Sequence, residues 1–262
     1  MATTLTQILE TTRAGLGALR ARTAELERAA LRAPSPPSLR QAFTPDRVAL
    51  VAEVKRRSPS AGAIREDLDP ADRAARYARH GAAAVSVLTD RPFFGGSIAD
   101  LEAVVERVAV PVLRKDFILD EIQILEARAA GAAAVLLIVR ALPDRRLREL
   151  LRFTAEAQLD ALVEVHTAAE LETALVAGAH IVGVNSRDLD TFRIDVAAAW
   201  SLLASVPADR VAVAESGMTT AADVERAAAA GADGVLIGTA LSAAADPAAQ
   251  VAAFAGARRR GR

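Results

Sequence analysis

The chain has 262 residues, 52% of them hydrophobic, with 32 basic against 33 acidic side chains and a net charge of −1. That balance argues against nucleic acid or an anionic membrane as partner, and the absence of cysteine excludes disulfides and thiolate chemistry. The length suits one large domain or two small ones with no covalent staple, and the longest apolar run, AAGAAAVLLIV (129–139), is too short to span a bilayer.

The opening MATTLTQILETTRAG lacks a basic segment followed by a long apolar core, so it does not read as a signal peptide; a soluble cytoplasmic protein is expected. The stretch LTQILETTRAGLGALRARTAELERAALR has helical spacing and alternating charge, and Pro34, Pro36 and Pro37 then break it. Residues 1–47 are therefore expected to form an N-terminal helical extension that packs over one end of the main domain. Next comes VALVAEVKRRSPS (48–60). It reads as a buried strand, with Val51, Glu53 and Lys55 on one face and Leu50, Ala52 and Val54 on the other. Burying a carboxylate and an ammonium without partners is costly, so that face is either wet or part of a site.

Four later segments echo one another: HGAAAVSVL (80–88), AGAAAVLLIV (130–139), AGAHIVGVN (177–185) and AGADGVLIG (230–238). In each, a helical pattern ends at Gly81, Gly131, Gly178 or Gly231, and a short, nearly all-apolar strand follows. The step of about 50 residues is too long for one strand–helix unit. Further strands lie between them: PVLRKDF (111–117), ALVEVH (161–166) and RVAVAES (210–216). Helical patterns fill the gaps, several opening at a capping residue or proline such as Asp69 and Pro70, Pro143 and Asp144, or Thr219. Counting from residue 48 gives eight strands alternating with helices, which predicts an α/β chain folded as a (β/α)8 TIM barrel over residues 48–257. An open doubly wound sheet is the rival, but no GxGxxG follows the first strand. Residues 258–262 form a basic tail, expected to be frayed and solvated.

In such a barrel the active site lies at the C-terminal ends of the strands. Strand 1 ends in Glu53 and Lys55, strand 3 in Lys115 on the face of Leu113 and Phe117, and strand 5 places Glu164 with Leu162 and His166. Strand 6 ends in Asn185 and strand 7 in Glu215, Ser216 and Gly217. Two lysines and two glutamates converging from three strands either neutralise one another as a buried network or shift one another's pKa values for acid–base work. Ser216 and Gly217, with Gly238 and Thr239 after strand 8, stand where barrels bind phosphate; plain turn chemistry is the alternative. Phe93 and Phe94, in RPFFGGS (91–97), form either a wall over an aromatic ligand or a packed loop. The three histidines have no metal-ligand spacing, His166 being placed at most on the rim. Arg56, Arg57, Arg145 and Arg146 read as solvated.

Together, AEVKRRSPSAG, LTDRPFFGGS, VLRKDFILDEIQ, LVEVHTAAEL, VGVNSRDL, VAESGM and GVLIGTAL resemble the indole-3-glycerol phosphate synthase family of tryptophan biosynthesis, in order from about residue 5 to about residue 245. The resemblance implies a carboxy-lyase acting on 1-(2-carboxyphenylamino)-1-deoxy-D-ribulose 5-phosphate, with indole-3-glycerol phosphate, carbon dioxide and water as products and no metal or organic cofactor. It implies Lys115 as the general acid at the ribulose carbonyl, Glu164 as the acid of dehydration, and Glu53 as the carboxylate orienting the lysines. Lys55 is similar to a residue contacting substrate and phosphate, and Asn185 to one positioning the substrate. Ser58, Phe93, Phe117 and Leu236 would contact the substrate, the last two at its aromatic ring. Ser216, Gly217, Gly238 and Thr239 would hold the phosphate. A monomer with no fused partner domain is expected. Ser186 departs from the usual second asparagine of GxNNRDL. Two rivals remain: phosphoribosylanthranilate isomerase, disfavoured by the missing cysteine, and an inert barrel that only binds a ligand.

Overall fold

The computed structural model describes residues 4–44 and 46–261; residues 1–3, Pro45 and Arg262, which fall within the expected extension and tail, lie outside the described residues. Two helices come first, α1 (Leu5–Arg20) and α2 (Thr23–Arg32). Eight parallel strands then close into a barrel: β1 (Ala49–Val54), β2 (Ala84–Leu88), β3 (Val112–Lys115), β4 (Ala134–Ile138), β5 (Asp160–Val165), β6 (Ile181–Asn185), β7 (Val211–Glu215) and β8 (Gly234–Ile237). Residues 49–52 of β1 pair with 234–237 of β8 and seal the ring. The longer helices after the strands are α3 (Pro70–Arg79), α4 (Ile98–Arg107), α5 (Glu121–Ala129), α6 (Asp144–Glu156), α7 (Ala168–Ala177), α8 (Val196–Leu203), α9 (Ala221–Ala229) and α10 (Ala248–Ala255), with short helical turns at Arg91–Phe94 and Thr239–Ala243. This is a (β/α)8 barrel. An antiparallel pair, Arg57–Ser58 with Gly62–Ala63, forms a small hairpin in the loop after β1.

The strand pattern explains the layers. Leu50, Ala52 and Val54 point outward into the core beneath the helices, while Val51 joins Leu113, Leu136, Leu162, Ile181 and Leu236 inside the barrel. Each such side chain, fully buried, contributes roughly 1.5–3 kcal/mol. Gly81, Gly131, Gly178 and Gly231 have φ of 107°, 80°, 94° and 99°, the left-handed conformation that stops a helix before the next strand. Asp69 caps α3 by accepting the Asp72 N–H, with Pro70 in the first turn. At α9 the cap is Thr220 rather than the expected Thr219: the Thr220 hydroxyl oxygen accepts the Asp223 N–H, and Asp223 Oδ2 accepts the Thr220 N–H in return.

The extension does more than cover one end. Leu5, Ile8 and Leu9 of α1 pack at the C-terminal mouth with Phe117 and Ile138, and Arg20 reaches Asp120, the N-cap of α5. Leu16 and Leu26 then pack on Ile122 of α5, so the chain descends the outside of the barrel. Arg128, near the other end of α5, donates to the carbonyls of Ala33 and Pro34. Ser38 and the Arg40 N–H bind Asp160, the first residue of β5, and Leu39 and Phe43 pack against the barrel interior from below. The prolines explain this path, since they keep the segment extended along the wall.

Several charges expected to be solvated are not. Arg56 donates to both oxygens of Asp100, at 2.7 and 3.0 Å, and to the carbonyls of Leu68 and Gly95. Arg146 pairs with Glu121 and Glu149. The chain beyond α10 is fastened as well: Ala257 accepts the Val48 N–H, and in the tail Arg258 bridges Arg47 and Arg259 ion-pairs with the buried Asp233. The carboxylate of Asp233, taken out of water, is thus paired with a cation that the tail supplies.

Candidate active site

Alternation along four strands brings the charges together at the mouth. Glu53 is the last inward-facing residue of β1, and Lys55, just past the strand, returns its Nζ to 2.8 Å from Glu53 Oε1. Lys115 ends β3. Its Nζ lies 3.7 Å from Glu164 Oε2, 3.7 Å from Glu215 Oε2 and 3.9 Å from Glu53 Oε2. All three carboxylates are at most 3% exposed. The three distances exceed ordinary hydrogen-bond length, so the ammonium hangs among carboxylates without being clamped by any of them.

Each pKa follows from the balance of burial and charge. Burial would raise Glu53, but Lys55 and Lys115 outweigh it and hold the carboxyl below its ordinary value. Burial would lower Lys115, yet Glu164, Glu215 and Glu53 together push it up. Glu215 goes the other way from Glu53. Burial, and then the neighbouring Glu164, drive it well above the carboxylate range, with Lys115 opposing.

Glu215 is the main residue that sequence reasoning leaves out of the charged set, although it stands at a strand end. The signal is present: β7 alternates, so Val213 and Glu215 share the inward face. Arg187 escapes sequence reasoning too. It lines the cavity, half-buried, and donates to Ser60 Oγ and the Phe192 carbonyl rather than to a carboxylate. Burial lowers its pKa. Its position in the loop after β6 gives no periodic cue.

The charges line one cavity of about 650 Å³, large enough for a drug-sized ligand. Glu53, Lys55, Ser58, Lys115, Phe117, Glu164, Asn185, Ser216, Gly217, Leu236, Gly238 and Thr239 all border it. Phe93 does not. It lies in a separate shallow cleft with Arg57 and Ser58, and its neighbour Phe94 takes the wall position, 6.2 Å from Phe117 between ring centroids. Asp90 fixes that turn by accepting the N–H groups of Phe93 and Phe94. Asn185 is steadied by its own loop, its Oδ1 accepting the Arg187 N–H. Ser216 and Gly217 have consecutive left-handed φ of 66° and 75°. For the non-glycine Ser216 that is a strained conformation, of the kind found at ligand sites. Ser186, the departure from the double asparagine, donates its hydroxyl to the Glu215 carbonyl and ties β6 to β7. His166 is no rim residue: its side chain is buried behind Glu164, with Nε2 3.6 Å from Glu164 Oε1 and Nδ1 3.3 Å from Glu170.

An eight-stranded barrel whose mouth holds a lysine among three buried carboxylates, beside a strained serine–glycine lip, defines an enzyme of acid–base chemistry on a small molecule. The indole-3-glycerol phosphate synthase profile matches residues 5–254. The chain is 46% identical over 252 residues to the indole-3-glycerol phosphate synthase of Desulfosudis oleivorans, covering 94% of this chain and 96% of that one. It is 53% identical over 194 residues to that of Chlorobium chlorochromatii, covering 74% and 76%. The chain belongs to the indole-3-glycerol phosphate synthase family, whose members are decarboxylating lyases of tryptophan biosynthesis. A solved 3-hexulose-6-phosphate synthase superposes with a TM-score of 0.65 at 16% identity, over 79% of this chain and 98% of that one, a likeness of fold. Among the described residues no helix is long and apolar enough to cross a membrane.

Proposed function

We propose that the cavity converts 1-(2-carboxyphenylamino)-1-deoxy-D-ribulose 5-phosphate to indole-3-glycerol phosphate, with Lys115 as the general acid of ring closure. The observation that carries this is the Lys115 ammonium held 3.7–3.9 Å from three carboxylates, charged but with donors to spare. The aryl carbon bearing the carboxylate attacks the ribulose ketone, and Lys115 protonates the oxygen as it becomes an alkoxide. The raised pKa of Lys115 does not prevent this, because the developing alkoxide is more basic still. The new ring then loses carbon dioxide, which restores aromaticity. Glu164, with Glu215 beside it, protonates the leaving hydroxyl; water departs, and the adjacent ring carbon gives up a proton to the carboxylate pair as the indole forms. Glu53 keeps the lysines in place and offsets positive charge on the ring nitrogen.

The cavity walls fit the two ends of that substrate. Phe94, Phe117 and Leu236 face the flat ring, and Arg187 offers its guanidinium to the ring carboxylate. Asn185 and Ser58 contact the ribulose chain. Ser216, Gly217, Gly238 and Thr239 with Lys55 hold the phosphate. The monomeric chain works in the cytoplasm, as an enzyme of amino-acid synthesis would. The test is direct: purified protein is mixed with the substrate and indole fluorescence is followed. Lys115→Ala is expected to lower kcat by about 10²–10⁴-fold with the fold intact. An unreactive wild-type protein sinks the proposal, and a fully active Lys115→Ala removes the general-acid assignment alone.

A further inference from the structure

Gly183 lies in the middle of β6, a place where glycine weakens a strand and calls for a reason. Its backbone supplies none, since its φ is outside the left-handed region. The reason is space. A Cβ built on Gly183 falls 2.0 Å from Glu215 Oε1, inside any tolerable contact, and 3.2 Å from Leu162 Cδ1. Gly183 pairs in register with Glu164 on β5 and with Val213 on β7. The missing side chain therefore opens a seat on the strand between the two acids, and the Glu215 carboxylate occupies it. The arrangement recurs once: a Cβ on Gly238 would fall 2.1 Å from Glu53 Oε1 and 3.1 Å from Lys55 Nζ.

We infer that Gly183 is a positioning residue, whose bare Cα seats Glu215 against Lys115 and Glu164 and so sets the geometry of the acid–base cluster. The inference rests on the proposed chemistry. The atom that a methyl would strike is the far end of a flexible side chain, so the barrel accommodates alanine by swinging the carboxylate out of its seat. The cost falls on chemistry more than on folding.

Four proteins test it: wild type, Gly183→Ala, Glu215→Ala and the double variant, each measured for kcat, KM, pH–rate profile and melting temperature. Gly183→Ala is expected to lower kcat by about 10²-fold, the order that a displacement of about 1 Å brings. Its KM stays within about threefold, and the pH–rate profile shifts because Glu215 has left its neighbours. In the Glu215→Ala background the same methyl has nothing to displace, and the double variant matches Glu215→Ala. A lowered melting temperature in Gly183→Ala that Glu215→Ala restores supports the same seat. Wild-type kcat and pH profile in Gly183→Ala overturn the inference, as does an equal loss in both backgrounds. Full activity of Glu215→Ala overturns the role of Glu215 and this inference with it, while leaving the substrate assignment to the wild-type assay.

Discussion

Lys55 and Lys115 share Glu53 but stand differently towards it. Lys55 has a tight partner at 2.8 Å, whereas Lys115 keeps every carboxylate at 3.7 Å or more. A satisfied cation anchors, and an unclamped one can transfer a proton; the contrast fits the roles proposed for them, Lys55 holding phosphate and Lys115 acting as general acid. Residue-scale electrostatics also reach the wall of the site through Asp90. Burial pushes its carboxyl up to about 6 from an ordinary 3.8, and nearby Asp116 adds to the rise, while the N–H groups of Phe93 and Phe94 restrain it. An acid whose folded pKa is raised binds more protons folded than unfolded between the two values, so stability falls as pH climbs from about 4 to about 6. Above that window the group is a buried carboxylate at the turn that carries Phe94. Asp90→Asn keeps an N-cap acceptor and removes the charge. It is expected to stabilise the protein by about 2 kcal/mol near pH 7.5, with the gain vanishing below about pH 4. Urea melts at both pH values check this; an equal effect at both would mean that charge is not the cause.

At the scale of elements, α9 connects the strained lip to the barrel wall. Its cap, Thr220, accepts the Asp223 N–H, and Asp223 in turn binds Thr219 and Thr220 just beyond Ser216 and Gly217. Thr220→Ala is expected to cost about 1 kcal/mol of stability. It also loosens the lip, so KM rises while kcat stays within about twofold; denaturant melts and steady-state rates decide, and an unchanged KM would uncouple cap from lip. The strands themselves are legible in the residue pattern alone. Each Gly-Ala stop followed by an apolar run lands in β2, β4, β6 or β8, and alternation puts Glu53, Lys115 and Glu164 on one inward face. Loops are less legible because no period governs them. Phe93 and Phe94 are adjacent and chemically identical, and only the folded turn after Asp90 shows that Phe94 is the one that faces the cavity. Arg56 reads as solvated until Asp100 is found across the fold. Gly183 looks like one more apolar strand residue until the Glu215 carboxylate is seen against it.

Across the whole molecule, the two ends of the barrel have different duties. The mouth gathers charge, strain and a cavity, while the base is closed by apolar packing, by the segment around Leu39 and by the C-terminal residues Ala257 and Arg259. The extension joins them, running from Ile8 at the mouth to Leu39 beneath the barrel. Its path is hidden in the sequence, since helical spacing reports an apolar face and not which surface covers it. Leu39 separates the duties cleanly. It is 1% exposed, packs into the barrel interior, and is framed by Ser38 and Arg40, both bonded to Asp160 at the start of β5. Leu39→Ala removes that plug and leaves a void that the closed strands cannot collapse to fill, so a loss of about 2–5 kcal/mol is expected. Its kcat and KM stay within about twofold of wild type at temperatures where the variant is folded, because every proposed catalytic group sits at the opposite strand ends. Phe94→Ala is the counterpart: it opens the cavity wall, raising KM with little loss of stability because the side chain is only half-buried. Melting curves and steady-state rates on both variants decide the matter. A Leu39→Ala protein that is folded yet slowed more than tenfold would show that the base of the barrel holds the mouth in shape.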